Sequence, residues 1–96
     1  MPAYIIVDIE VTDPAAFEEY RKQVPATVQK YGGRFLVRGG AMEVVEGDWR
    51  PKRVVVLEFP SMEQAKRWYD SEEYRAPKAL RLKTSRGRII LVEGAS

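Results

Sequence analysis

The 96-residue sequence contains no cysteine and no histidine. Without cysteine the chain forms no disulfide and no thiolate nucleophile, and it cannot hold zinc or an iron–sulfur cluster through sulfur. Without histidine it has no Ser-His-Asp triad, no imidazole catalyst and no histidine ligand for haem or zinc. Only carboxylates and carbonyls could bind a metal, and the sequence has no dense carboxylate loop. We therefore expect neither a metal nor another cofactor.

Long apolar runs are also missing. No run approaches the roughly 18–20 residues that a membrane span needs, and the N-terminus shows no basic stretch before an apolar core. Hydrophobic residues make up 45% and charged residues 31% of the chain, which is typical of a globular protein. We expect one domain over residues 1–96, a cytoplasmic location and no membrane partner.

The formal net charge of +2 hides an uneven distribution of basic residues. Residues 75–88 contain six basic side chains and no acidic one, which is a pattern that attracts anions or nucleic acid. A solvated surface gives the same pattern. Sheets that bind RNA do so through exposed aromatic residues, whereas the β-branched runs of this sequence are mostly aliphatic, so we do not expect a nucleic-acid partner.

Periodicity and capping signals predict the element order β-α-β-β-α-β, which is the ferredoxin-like α+β fold, an antiparallel sheet with two helices on one face. The first helix follows Asp13-Pro14 and is kinked or split at Pro25. The second follows Ser61. Ser71 begins a further short helix, and Pro77 limits how regular that helix can be. The predicted strands are Ala3–Thr12, Arg34–Arg38, Arg53–Phe59 and Arg88–Glu93, and Ala41–Glu46 is expected to be extended.

Two of the predicted strands are apolar on both faces. Val54 and Val56 alternate with Val55 and Leu57, and the strand at 88–93 behaves likewise. Two helices cover only one face of a sheet, and a large uncovered apolar face indicates an interface. We expect a homodimer in which a second identical sheet packs face to face.

Several motifs appear in one order along the chain and resemble the domain-of-unknown-function 1330 family of the dimeric α+β barrel superfamily. They are Arg38-Gly39-Gly40, Pro51-x-Arg53, Phe59-Pro60-Ser61, Trp68-Tyr69-x-Ser71-x-x-Tyr74 and Arg81. The resemblance implies pairing into a dimeric α+β barrel with one cavity per subunit between sheet and helices, which relatives use for small aromatic or polyketide-like molecules. Relatives include cofactor-independent quinol monooxygenases and small stress-associated proteins. The haem-degrading relatives rely on a histidine that this chain lacks.

Charged residues inside predicted strands are the first candidates for a site. By alternation Asp8 shares a face with Tyr4, Arg38 with Leu36, and Glu58 with Val56, so the candidates Tyr4, Asp8, Arg38 and Glu58 are expected to line one interior. A buried carboxylate there could act as a general base, and an arginine could bind a carboxylate or enolate. A structural network of ion pairs, which would include Arg53, explains the same residues.

Aromatic residues near the second helix are the other candidates. Trp68 and Tyr74 are interpreted either as the wall of a ligand pocket or as core, and Tyr69 as core. The resemblance assigns Arg81 an anion contact at the cavity mouth. The expected function is binding of a small organic ligand, aromatic or anionic, with cofactor-independent catalysis or with ligand sensing or a stress-related role without turnover. Catalysis would require a carboxylate or tyrosinate that reaches the cavity.

Overall fold

The structure is a computed structural model that describes residues 1–95. Seven elements follow one another: β1 (Ala3–Val11), α1 (Pro14–Lys30), β2 (Arg34–Arg38), β3 (Arg53–Phe59), α2 (Met62–Tyr69), α3 (Glu72–Thr84) and β4 (Ser85–Glu93). No helix in this part of the chain is long and apolar enough to cross a membrane.

The four strands form one antiparallel sheet in the order β2-β3-β1-β4. β1 lies in the middle, where Ile5 is opposite Leu57 of β3 and Leu91 of β4. The helices pack on one face, called here the covered face, and the other is the open face. This confirms the predicted ferredoxin-like α+β fold, in which two consecutive helices, α2 and α3, follow β3.

Alternation along β1 explains why the helices lie on one face only. Ile5, Val7 and Ile9 are at most 7% exposed, whereas Ile6 between them is half-buried and Glu10 is exposed. Fully burying one such aliphatic side chain stabilises the fold by about 1.5–3 kcal/mol. The core formed in this way includes Phe59 and Trp68 and lies between the covered face and the helices.

Each helix begins where the capping signals predict. The side-chain oxygens of Asp13, Ser61 and Ser71 accept hydrogen bonds from the backbone N–H three residues later, at 3.1–3.2 Å. These bonds satisfy donors that a helix N-terminus otherwise leaves free. The three N-caps thus define where each helix begins.

Three element bounds differ from the predictions. α3 does not stop near Tyr74 but continues through Pro77 to Thr84. The proline removes one helical hydrogen bond, and burial of its ring offsets that loss. β4 begins at Ser85, so the basic stretch is divided between α3 and β4. Residues 41–46 are not a strand; they are exposed and have no strand partner.

A bulge in β2 reverses the side on which Arg38 lies. Phe35 and Val37 both pair with β3, and Leu36 between them is the extra residue. The additional residue shifts the alternation by one position. Arg38 therefore lies opposite Val55, on the covered face.

The predicted grouping of Arg38 with the strand carboxylates is therefore wrong. Asp8 lies opposite Val54 and Glu58 lies opposite Tyr4, and all four residues belong to the open face. Arg38 is separated from both carboxylates by the sheet. The bulge is the physical reason, since simple alternation holds only where strands pair one residue to one.

Candidate functional site

A cavity lies between the covered face and the helices. Its apolar wall includes Ile5, Val7, Phe17, Val24, Leu57 and Ile89. The volume open to the centre of a water molecule is about 40 Å³. One buried water needs about 10–15 Å³ of that volume, so the cavity has room for a few waters or a small ion.

Four arginines line this cavity, and each comes from a different element: Arg21 of α1, Arg38 of β2, Arg53 of β3 and Arg81 of α3. Within residues 1–95 no carboxylate contributes to the wall. Arg21 reaches Glu18 at 3.3 Å on the outer surface of α1. Among the described residues, no carboxylate lies within 4.0 Å of the other three guanidiniums.

Two of these arginines have donors without an acceptor among the described residues. The Nε atoms of Arg21 and Arg53 are buried and have no hydrogen-bond partner in the described part of the chain. Burial lowers the pKa of Arg53, and the neighbouring charges of Arg21 and Arg38 lower it further. Because a buried donor or charge without a partner is costly, the cavity favours an acceptor that carries negative charge.

Arg38 is held at the cavity mouth by a hydrogen bond to a carbonyl of α1 that has no helical donor. The helix continues unbroken through Pro25, which has no N–H, so the carbonyl of Arg21 lacks its helical donor. The Nη2 atom of Arg38 donates to that carbonyl at 2.8 Å. The guanidinium also lies over the Phe35 ring, 4.5 Å from its centroid. The proline thereby supplies the acceptor that fixes Arg38.

Gly39 makes room for Arg53. Its φ is +70°, a left-handed conformation that glycine adopts easily. A Cβ atom at this position would overlap the Nη1 atom of Arg53, whereas a Cβ at Gly40 would meet nothing within 4 Å. The Gly39-Gly40 pair does not form the bulge, which comes earlier, at Leu36; instead its first member lets a guanidinium pass against the backbone.

A chain of hydrogen bonds connects Arg81 with Tyr20 along the wall. The Nε atom of Arg81 donates to the Tyr74 hydroxyl at 3.2 Å, and the hydroxyl oxygens of Tyr74 and Tyr20 lie 2.8 Å apart. Burial is the main cause that raises the pKa of both tyrosines above the ordinary value. Both hydroxyls are neutral at pH 7 and act there as hydrogen-bond donors rather than bases.

Trp68 belongs to the core and to the cavity wall at once. It is 2% exposed, and its ring centroid lies 4.1 Å from that of Tyr74. Its Nε1 atom donates to the Thr27 hydroxyl at 3.0 Å. Because that donor is already used inside the core, Trp68 offers a ligand only apolar ring surface.

The remaining candidates lie on the open face as parts of paired networks. Tyr4 donates to Oε2 of Glu58 at 3.2 Å, and the Arg34 Nε donates to Oε1 at 2.7 Å. The hydrogen bond from Arg34 and then that from Tyr4 hold the pKa of Glu58 below its ordinary value. Glu58 is therefore an ionised, paired carboxylate, which does not match the predicted base of raised pKa.

Asp8 is paired in a similar way. The Nε1 atom of Trp49, from the segment before β3, donates to its Oδ2 at 2.9 Å, and the Nε of Arg88 lies 3.7 Å from the same oxygen. Neither this carboxylate nor Glu58 touches a cavity arginine. The structure thus divides the predicted site residues into two sets: Arg38, Trp68, Tyr74 and Arg81 at the cavity, and Tyr4, Asp8 and Glu58 on the open face.

Sequence reasoning did not name Tyr20, Arg21 and Arg53 as ligand-binding candidates. A signal existed for two of them. Tyr20 belongs to the apolar stripe of α1, and Arg53 alternates with Val55 and Leu57, which predicts the covered face. Arg21 had no comparable signal, because it is next to the stripe and reaches the cavity only through its long side chain.

Comparison with known proteins gives one family match. A family model described as a domain of unknown function (DUF1330) matches residues 2–95. No curated protein is similar enough in sequence to match the chain.

Solved structures with the same fold are distant in sequence. A protein of unknown function from Rhodopseudomonas palustris superposes with a TM-score of 0.78 at 16% identity, covering 99% of this chain and 83% of that one. SnoaB, a cofactor-independent oxygenase from Streptomyces nogalater, superposes with a TM-score of 0.68 at 13% identity, covering 99% and 94%. At such identities the likeness establishes the fold and not the activity.

Proposed function

We propose that this chain, which belongs to the DUF1330 family of domains of unknown function, binds a small organic anion in the cavity between its sheet and its helices. One observation carries the proposal: four guanidiniums meet at an apolar cavity that no carboxylate lines within residues 1–95. An anion that enters this space supplies a partner that residues 1–95 do not.

The chemistry of the wall favours an oxygen anion. Guanidinium–carboxylate hydrogen bonds are shorter and about twice as strong as neutral ones, and a surrounding of low polarity strengthens them further. A carboxylate has two oxygens that each accept hydrogen bonds, and Arg21 and Arg53 each carry a buried Nε donor without a partner among the described residues. An enolate oxygen meets the same donors.

Cavity size favours small ligands. A space of about 40 Å³ for water centres accommodates an acid of a few heavy atoms. An aromatic acid requires the mouth to widen. The Arg21 side chain is 40% exposed, so it can move outward without disturbing the core, whereas Arg38 stays bonded to the carbonyl of Arg21.

Binding without turnover fits the wall better than proton abstraction. Catalysis by a protein base requires an ionised carboxylate or tyrosinate in the cavity. The described wall has no carboxylate, and both tyrosines are held neutral by burial. Any catalysis would therefore act by stabilising an anionic form of the substrate itself, as donors do in an oxyanion hole.

The proposal includes a homodimer formed through the open face, with a second copy of this chain as the partner. Large apolar side chains are exposed on this face, including Ile90 at 60% and Val92 at 42%. Acidic and basic residues alternate among them in pairs such as Glu10–Arg86 at 3.6 Å. A face of balanced charge and exposed aliphatics complements itself when two copies meet on a two-fold axis.

We also propose a cytoplasmic location, which cell fractionation tests.

Isothermal titration calorimetry with formate, acetate, propionate and benzoate tests the binding proposal. We expect the smaller acids to bind with a dissociation constant of about 1 mM or tighter. Arg53→Met keeps the apolar stem and removes the charge, so we expect at least about tenfold weaker binding. The same variant should unfold with unchanged or raised free energy, by up to about 1 kcal/mol, because a poorly paired charge is gone.

Arg34→Met is the matched control, since Arg34 lies on the open face and pairs with Glu58. It should leave the affinity for every acid unchanged. The proposal fails if no acid binds the wild-type protein, or if Arg53→Met binds the acids as tightly as the wild type does.

A further inference from the structure

The hydrogen bonds among Arg81, Tyr74 and Tyr20 have a direction. The Tyr74 hydroxyl accepts from the Nε of Arg81. Tyr74 is 1% exposed, so its own hydroxyl hydrogen needs an acceptor inside the protein. Among the described residues the Tyr20 hydroxyl, 2.8 Å away, is the one oxygen that can accept it. The opposite direction would leave a buried hydrogen without a partner.

The direction leaves the hydrogen of Tyr20 free. The Tyr20 oxygen accepts from Tyr74, and within residues 1–95 nothing accepts from Tyr20. Tyr20 lines the cavity and is half-buried. The positive charge at the start of the chain polarises each hydroxyl in turn, which makes the last hydrogen a better donor.

We propose that the Tyr20 hydroxyl donates a hydrogen bond to the bound anion and that Arg81, acting through Tyr74, keeps Tyr20 oriented as a donor. This inference rests on the proposed function and concerns the same cavity. Tyr20 is the ligand-binding residue, and Arg81 and Tyr74 are positioning residues. The raised pKa of Tyr20 supports the role, because the hydroxyl keeps its proton at physiological pH.

As a consequence, the cavity offers a ligand hydrogen-bond donors. The orphaned Nε atoms of Arg21 and Arg53 and the Tyr20 hydroxyl all donate. A carboxylate or an enolate only accepts, so it matches all three. An amide of the same shape turns an NH₂ group toward one of these donors and leaves both unpaired. The ligand class is therefore the deprotonated oxyacid or enolate, selected against its neutral amide.

The test compares acetate with acetamide, which has nearly the same shape and no charge, by calorimetric titration. In Tyr20→Phe we expect the affinity for acetate to fall by roughly 10- to 100-fold, the effect of losing one hydrogen bond to a charged group. Acetamide affinity should change much less, so the ratio of the two affinities falls. In Tyr74→Phe the hydroxyl of Tyr20 remains but loses its orientation, and we expect a fall of about threefold to tenfold in the same ratio.

Tyr69→Phe is the matched control. Its hydroxyl makes no hydrogen bond among the described residues, and Tyr69 does not line this cavity. This variant should bind acetate like the wild type. Thermal melts of all variants establish that each is folded, and if Tyr20→Phe does not fold, the ratio measured in Tyr74→Phe decides.

The outcomes separate the two proposals. If wild-type protein binds no acid, the proposed function fails and the donor role fails with it. If acetate binds and Arg53→Met weakens it, while Tyr20→Phe binds as the wild type does, only the donor role is overturned. It is also overturned if Tyr20→Phe weakens acetate and acetamide equally, or if the ratio in Tyr74→Phe is unchanged when Tyr20→Phe does not fold.

Discussion

Both faces of the sheet carry arginines, but their surroundings differ. The arginines of the open face pair with carboxylates, whereas those of the covered face line a cavity whose described wall has no carboxylate. On the open face Arg34, Arg86 and Arg88 each lie beside a carboxylate, at 2.7–3.7 Å. On the covered face the cavity arginines have aromatic rings, a hydroxyl and a backbone carbonyl as neighbours. Of the four, Arg21 alone pairs with a carboxylate within residues 1–95, and it does so on the outer surface of its helix.

The difference shows that net charge is a poor guide to what a basic protein binds. A formal charge of +2 describes the whole chain and neither face. The open face is balanced, so it can be pressed against a copy of itself at little electrostatic cost. The cavity is unbalanced within the described residues, which is why we propose it, and not the open face, as the place where an anion binds. The predictions below test each half of that contrast.

The largest expected effect concerns the open face. Ile90→Lys puts a charge opposite Ile6, on the open face and within the proposed dimer interface. A buried charge without a partner is strongly destabilising, so we expect the dimer dissociation constant to rise at least about a hundredfold. Sedimentation velocity at low micromolar concentration measures the change.

Leu82→Lys is the control, because Leu82 is 63% exposed on α3 and Ile90 is 60% exposed on the sheet. In an isolated monomer the two substitutions are equivalent, and both variants should stay folded. A wild-type protein that sediments as a monomer would show that the open face is no interface, and equal behaviour of the two variants would place the interface elsewhere.

A smaller effect is expected at the covered face. Gly39→Ala forces a side chain into a left-handed conformation and against the Arg53 guanidinium. The conformational strain costs about 1–2 kcal/mol of unfolding free energy, and the displaced arginine should weaken acid binding as well. Denaturant unfolding and calorimetric titration measure the two quantities.

Gly40→Ala provides the comparison at the neighbouring position, where a Cβ meets nothing within 4 Å. Stability and binding should both stay close to the wild-type values. If Gly39→Ala behaves like Gly40→Ala, then Arg53 adapts easily and its position in the cavity is not fixed by the backbone.

The smallest expected effect is a difference between the two faces in how substitutions change the pH dependence of stability. The folded-state pKa of Glu58 lies below the ordinary 4.5, chiefly because of the bond from Arg34. Its stabilising contribution is therefore complete above about pH 4.5 and is lost as the pH falls toward the lowered value. Glu58→Gln should reduce stability at pH 7 and flatten the acid limb of a melting-temperature profile.

Arg53→Met should leave the shape of that acid limb nearly unchanged. No carboxylate lines the described wall, and the charge of Glu18 is the smallest of the influences on the pKa of Arg53. A profile flattened equally by both substitutions would mean that the cavity contains an ionised carboxylate partner after all. Melting temperatures between pH 3 and pH 7 are sufficient to distinguish these results.

The fold was predictable because its signals are local. Alternation in β1 and β3, together with the N-caps Asp13, Ser61 and Ser71, is sufficient to place the strands and the helix starts. The extent of α3 was not predictable, because Pro77 reads as a break and tertiary burial of its ring overrides that tendency.

The cavity was only partly predictable, because its residues converge from distant elements. A single bulged residue, Leu36, moves Arg38 from one face to the other, and nothing in the sequence RFLVR shows it. Arg81 and Tyr20 meet through Tyr74, over a separation that no sequence pattern reports. The position that a side chain reaches depends on strand register and on helix packing. Sequence periodicity does not reveal a register shift of one residue, and such a shift moves a side chain to the other face.

Pro25 illustrates how a local loss in one element can serve another. An alanine at this position would return a backbone donor to α1, and the helix would then compete with Arg38 for the carbonyl of Arg21. The helix would gain order and the mouth of the cavity would lose a fixed charge. A stability-driven redesign of this chain could select that replacement, and it would trade the rigidity of the proposed binding site for the rigidity of a helix.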